Sequence, residues 1–270
     1  MGDAADDRAS LAGRTALAIF AHPDDESLAC GGTLARLSDA GVRVVLVCAT
    51  RGERGGTVDP ALVPDGDLGH VRSNELRQAA NVLGIAEVVM LQYRDGELRS
   101  FVADPLHDDI VAVIRSYRPE IVITFAEDGL YWHLDHIGVH ERTYDAVTSL
   151  GADAPALYYV TMPPGVMREV AHTAVAKGPN PPESNFWGIA PEAFGLKAGP
   201  PTLIVDVRDW ASRKLAALRC HRTQIGPDNP LSRLEPDDAR RWLGVEHFRR
   251  AAVGSGETML EHIGEPVLSS

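Results

Sequence analysis

The feature that most constrains this chain is a repeated switch in apolar period over its first 160 residues. Residues 15–21 (TALAIFA), 42–50 (VRVVLVCAT), 87–91 (EVVML), 120–125 (EIVITF) and 157–160 (LYYV) are short, continuous apolar runs rich in β-branched side chains. Unbroken rather than alternating runs of this length predict strands buried on both faces. Between them, residues 28–40, 71–83, 106–117 and 137–150 place apolar side chains every three to four positions, which predicts helices. Gly41 and Gly84 stand where helix C-terminal caps belong. The β-α-β-α order predicts an α/β fold, a Rossmann-like three-layer sandwich with a parallel sheet covered on both faces by right-handed crossovers.

Residues 163–201 break the pattern. They hold eight of the eighteen prolines and five glycines, with Phe186 and Trp187 among them. That density of breakers predicts a long structured loop without helix or buried strand, of the kind that serves as a binding wall. A strand over 203–207 and a helix over 210–221 follow, and 57–67 is a second turn-rich stretch. One domain over residues 13–270 is expected, preceded by a flexible, solvated tail over 1–12.

Composition narrows the function. Lys plus Arg number 26 against 38 Asp plus Glu, a net charge of −12. So acidic a chain lacks the basic surface that nucleic acid requires. The mean hydropathy of −0.11 and the short apolar runs argue against a membrane protein. Three scattered cysteines (Cys30, Cys48, Cys220) and an acidic N-terminus predict free thiols and a cytoplasmic protein. Cys30 falls within the first helix pattern, as a small packing residue rather than a nucleophile. The composition is compatible with a homo-oligomer and does not specify one.

Two segments concentrate ionisable groups at the carboxyl ends of predicted strands, where open parallel sheets bind ligands. The first strand runs into Ala21-His22-Pro23-Asp24-Asp25-Glu26. An imidazole and three carboxylates packed together repel phosphate and call for a cation. The fourth strand leads to Tyr131-Trp132-His133-Leu134-Asp135-His136, with His140 four residues on. Two histidines and a carboxylate with open positions make a catalytic metal arrangement. Asp24, Asp25 or Asp135 as simple helix caps is the plainer reading of each acid taken alone.

At these residues the chain resembles the LmbE-like, or PIG-L, family of metal-dependent de-N-acetylases. Its hallmarks, Ala-His-Pro-Asp-Asp-Glu and His-x-Asp-His, stand here at 21–26 and 133–136, with Leu134 where the family usually has proline. The likeness continues through Thr50-Arg51-Gly52-Glu53, Arg72, Glu75, Asp95-Gly96 and His221-Arg222-Thr223-Gln224. The resemblance implies that His22, Asp25 and His136 hold one divalent ion, Zn²⁺ or alternatively Fe²⁺ or a related metal. It further implies Asp24 as general base toward the attacking water and His133 as the group acting on the oxyanion or leaving amine. A histidine kept protonated by surrounding carboxylates would suit that acid role. Tyr131 matches a position that helps polarise the carbonyl, and Arg72, Glu53 and Asp95 match positions near the sugar. Trp187, on the proline-rich loop, is expected to add an aromatic wall to the pocket.

The implied activity is a zinc-dependent hydrolase that removes an acetyl group from an N-acylated amino-sugar small molecule. The alternatives are an amidase for a larger amide such as a thiol conjugate, and, more distantly, a non-catalytic metal- or nucleotide-binding Rossmann-like protein. The phosphate-binding fingerprint G-x-G-x-x-G is absent after the first strand.

Overall fold

A computed structural model describes residues 4–100, 105–177, 185–197, 199–254 and 256–267. The apolar runs become β1 (Thr15–Phe20), β2 (Arg43–Thr50), β3 (Glu87–Tyr93), β4 (Ile121–Phe125) and β5 (Ala156–Thr161). All five are parallel, in the order β3-β2-β1-β4-β5. β1, β4 and β5 are buried almost throughout, because both faces of the sheet carry helices. The predicted helices are α2 (Asp25–Asp39), α3 (Leu68–Leu83), α4 (Leu106–Tyr117) and α6 (Leu134–Ser149), with the short α5 (Gly129–Trp132) before α6. α3 begins ahead of the predicted residue 71 because the Asp67 carboxylate accepts the His70 amide at 2.9 Å and caps it. It ends as expected at Gly84, in the left-handed region at φ 78°.

Chain order sets the layers. The chain moves from β1 to β2 to β3 on one side, then crosses to β4 and β5 on the other. Right-handed crossovers running in opposite directions put their helices on opposite faces. Accordingly α2 packs with α3 and with α8 (Ala211–Leu218), while α4 packs with α6.

The sheet is not wholly parallel. Beyond β5 lie β7 (Val245–Arg250), β6 (Leu203–Asp206) and β8 (Gly264–Pro266), each antiparallel to its neighbour. β7 does more than extend the sheet. The helix α2 breaks at Cys30 (φ −148°), and the Glu246 carboxylate of β7 caps the restarted helix. It accepts from Gly32 N at 2.9 Å and Thr33 N at 2.7 Å, and buried Lys214 neutralises it at 2.6 Å.

Two expectations need correction. Residues 163–201 contain a helix, α7 (Val166–Val175), whose ten residues hold no proline or glycine. Breaker density averaged over the whole stretch hides that window. The solvated tail is, over Ala4–Leu11, the helix α1. Leu11 is fully buried there, and Asp7 bonds Arg36 at 2.9 Å and 3.1 Å. The remaining α-helices among the described residues are α9 (Pro236–Trp242) and α10 (Met259–Ile263). Among the described residues no helix is long and apolar enough to cross a membrane.

Candidate metal centre and active site

β1 and β4 are neighbours in the sheet, so the segments that follow them meet at one edge. Thr124 Oγ1 donates to the Ile19 carbonyl at 2.9 Å, and Phe20 meets Phe125 edge-on at 5.0 Å. The His136 ring lies flat on Phe125, with centroids 4.0 Å apart. Its Nδ1–H donates to the Gly129 carbonyl at 3.1 Å, which leaves the Nε2 lone pair facing His22.

His22 is held the opposite way round. Its Nε2–H faces Asp95 Oδ1 at 3.1 Å and Asp135 Oδ2 at 3.2 Å, so Nδ1 turns toward His136. Asp135 is anchored in turn by Gly96 N at 2.6 Å and Leu98 N at 3.0 Å. Hydrogen bonds from the outer nitrogen of each ring fix the tautomers as metal-binding histidines require. Asp25 completes the group, its Oδ2 accepting the His22 amide at 2.7 Å.

The three inner groups lie at ligand spacing, with each Asp25 oxygen facing a different histidine. His22 Nδ1 and His136 Nε2 are 3.3 Å apart, His136 Nε2 and Asp25 Oδ1 3.2 Å, and His22 Nδ1 and Asp25 Oδ2 3.5 Å. A tetrahedral ion with bonds of about 2.0–2.2 Å would separate its donors by roughly 3.3–3.6 Å. Two imidazole lone pairs facing each other across that gap repel unless a cation lies between them. The charges agree. Burial pulls His22 toward neutrality, yet Asp135, Asp25 and Asp95 outweigh it and raise its proton affinity well above the usual range, a demand for positive charge that a bound ion would meet in the proton's place. Burial works against the Asp25 carboxylate, while His136 and His22 hold it ionised far below the usual range. The residues present therefore fit a divalent ion.

Asp24 faces the same cavity from a strained backbone, at φ 116° and ψ −25°. A non-glycine residue there costs about 1–3 kcal/mol and persists only where its surroundings impose it. Burial pushes its carboxyl up to about 6 against the pull of Arg72, whose guanidinium lies 3.2 Å away. Tyr131 and His133 line the same cavity. The expectation of a protonated His133 is corrected. Burial above all, with the neighbouring His136 and His22, pushes it down to about 4 and outweighs the opposing pull of Asp25 and Asp135. His133 Nδ1 accepts the Asp135 amide at 3.3 Å, which leaves the proton on Nε2. The nitrogens of His22, His133 and His136 lie within 4.8 Å of one another, so His133 borders the same centre.

The other expected residues divide. Trp187 lines the cavity, and its Nε1–H donates to the Gln224 carbonyl at 2.9 Å. Phe186 is fully buried against Phe194. Arg72 lines the cavity too, but its two terminal nitrogens go to Pro23 O at 2.7 Å, Gly52 O at 2.8 Å and Asp24. Asp95 borders the cavity and spends one oxygen on His22 and the other on Arg54 N at 2.9 Å. Glu53 stands behind Asp95, accepting its amide at 3.1 Å, and is not part of the cavity wall. His140 bonds the Phe125 carbonyl at 2.9 Å and packs on Tyr159, outside the centre.

Sequence reasoning did not foresee the cavity residues Thr57, Val58 and Ile189, nor Asp135 as a partner of His22. Thr57 and Val58 lie in the turn-rich stretch after β2, which was the available signal. The whole cavity measures about 620 Å³, within the range that holds small-molecule ligands.

Known proteins resemble this chain in sequence and in fold. The PIG-L family, described as GlcNAc-PI de-N-acetylase, matches residues 17–147. The 1D-myo-inositol 2-acetamido-2-deoxy-alpha-D-glucopyranoside deacetylase of Acidothermus cellulolyticus is 33% identical over 256 residues, covering 87% of this chain and 88% of that protein. Among solved structures, the N,N'-diacetylchitobiose deacetylase of Pyrococcus horikoshii superposes with a TM-score of 0.60 at 27% identity, over 88% of this chain and 84% of that one. GalB, the 4-carboxy-2-hydroxymuconate hydratase of Pseudomonas putida, superposes at 0.63 with 19% identity, over 91% and 99%, and shows the fold alone. The chain belongs to the PIG-L (LmbE-like) family.

Proposed function

We propose that this chain is a zinc-dependent deacetylase of a 2-acetamido-2-deoxyglucoside carried on a second ring such as inositol. The carrying observation is the inward-facing donor triad of His22, Asp25 and His136, with both imidazole tautomers fixed from behind. Zinc bound there would polarise the acetamide carbonyl and make water acidic enough to ionise near neutral pH. Ferrous iron would suit the same donors.

The chain's own groups supply the rest. Asp24 takes a proton from the attacking water as oxygen adds to the carbonyl carbon. His133, neutral with its proton on Nε2, donates a hydrogen bond to the developing oxyanion, and Tyr131 stands beside it. The proton held by Asp24 then passes to the departing amine as the carbon–nitrogen bond breaks. Trp187, Thr57 and Gln224 line the same cavity, whose volume of about 620 Å³ would take a group beyond the reacting sugar. The unpaired thiols of Cys30, Cys48 and Cys220 support action in the reducing cytoplasm.

The test is acetate release from N-acetylglucosaminyl-inositol, from N,N'-diacetylchitobiose and from a bulky N-acyl thiol conjugate, before and after chelation. Turnover of the first substrate, lost with the metal and restored by zinc, is the expected result. Faster turnover of the thiol conjugate would favour the amidase, and chelator-resistant activity would remove the metal from the reading.

A further inference from the structure

Glu26 is fully buried one residue after the proposed ligand Asp25, and the function proposed above gives it no task. A buried carboxylate is costly unless its oxygens are committed, and these are. Oε2 accepts the backbone amide of Asp24 at 3.1 Å. Oε1 accepts from Ser27 Oγ at 2.5 Å and from His221 Nε2 at 3.0 Å. His221 is itself fully buried, just beyond α8, and its other ring nitrogen has no hydrogen-bond partner among the described residues. Its carbonyl accepts the amides of Gln224 at 3.0 Å and Ile225 at 2.8 Å. The same bonded chain thus links Asp24 to the turn that carries the cavity residues Thr223 and Gln224.

We infer that Glu26 and His221 are a positioning pair that holds Asp24 in its left-handed conformation, with its carboxylate aimed at the attacking water. The strained φ of 116° needs an external restraint, and the bond to Glu26 is anchored at the residue that carries the strain. Arg72 restrains the same turn through Pro23 O and the Asp24 carboxylate. It leaves the Asp24 amide to Glu26 alone among the described residues. The inference rests on Asp24 being the general base.

A double-mutant cycle tests it. Glu26→Gln is expected to lower kcat by about 10- to 100-fold, the scale of a small misplacement of a reacting group, with KM within about twofold and full metal content. In an Asp24→Asn background the same change is expected to cost less than about twofold further, since Glu26 acts through the group already lost. His221→Leu should behave like Glu26→Gln, while His221→Gln, which keeps an N–H donor, should recover most of the rate. If Glu26→Gln does not fold, His221→Leu takes its place in the cycle. Additive losses, or a fall explained by lost metal or raised KM, overturn the positioning role while leaving the deacetylase reading intact. Near-normal turnover by Asp24→Asn alone would instead remove Asp24 as base, and the positioning role with it.

Discussion

His22 divides its nitrogens between two tasks, and the division makes Asp135 as consequential as a ligand. Asp135 never reaches the centre of the donor triad. It grips the outer nitrogen of His22 while two backbone amides grip it. Asp135→Asn removes the charge that favours the proper tautomer, and partners of this kind usually contribute 10- to 100-fold in metal affinity. We therefore expect zinc affinity to fall by about that factor, read by competition with a chromophoric chelator. Unchanged affinity would leave orientation of His22 to Asp95. Trp187 carries a second expectation at this scale. Its indole forms part of the cavity wall and is pinned by one hydrogen bond to Gln224. Trp187→Ala should raise KM by about tenfold or more with little change in kcat, since it removes binding common to ground and transition states. A melting curve on the same protein separates this from packing, because unchanged KM with a lower Tm would make Trp187 a support for buried Phe186.

Among the elements, the opening turn of α6 is the most exacting. Gly138 approaches the backbone at Leu98 so closely that a Cβ would stand 2.5 Å from the Leu98 carbonyl oxygen. Backbone cannot retreat as a flexible side chain can. Gly138→Ala should cost about 1–3 kcal/mol and also weaken metal binding, because the same turn carries Asp135 and His136. Calorimetry together with metal content checks both effects, and loss of neither would mean that the 98–99 segment yields freely. The elements also show where sequence reading succeeds. The five parallel strands were legible because burial on both faces leaves unbroken apolar runs. β7 was not, since its interior faces alternate and it spends Glu246, Arg249 and Arg250 on pairings with other elements. The proposed ligands His22, Asp25 and His136 stand in two short local motifs, which is where the family resemblance points. The left-handed turn at Asp24 and the grip of Asp135 on His22 were not legible, because both depend on amides and side chains brought in by other elements.

For the whole molecule, the donor triad joins the end of β1 to the start of α6. A metal held only by the native arrangement stabilises it by mass action, about 2.7 kcal/mol at a hundredfold excess over Kd. Chelation should therefore lower Tm by roughly 5–10 °C, recoverable with zinc, in a chain of this size. An unchanged Tm would place metal affinity too low for the role proposed. The order β3-β2-β1-β4-β5 extends this point in time. His22 and His136 are separated by 114 positions, and β1 acquires its neighbour on that side only when β4 arrives. During synthesis the first motif leaves the ribosome with β2 and β3 still to come and no second histidine to face. Ion capture by the full triad must wait until both halves of the sheet have been made and joined. Loading of an ion at the triad proposed here would then be a molecular record that the two halves have closed on each other in the right register, and topology would keep a half-finished chain from premature chemistry.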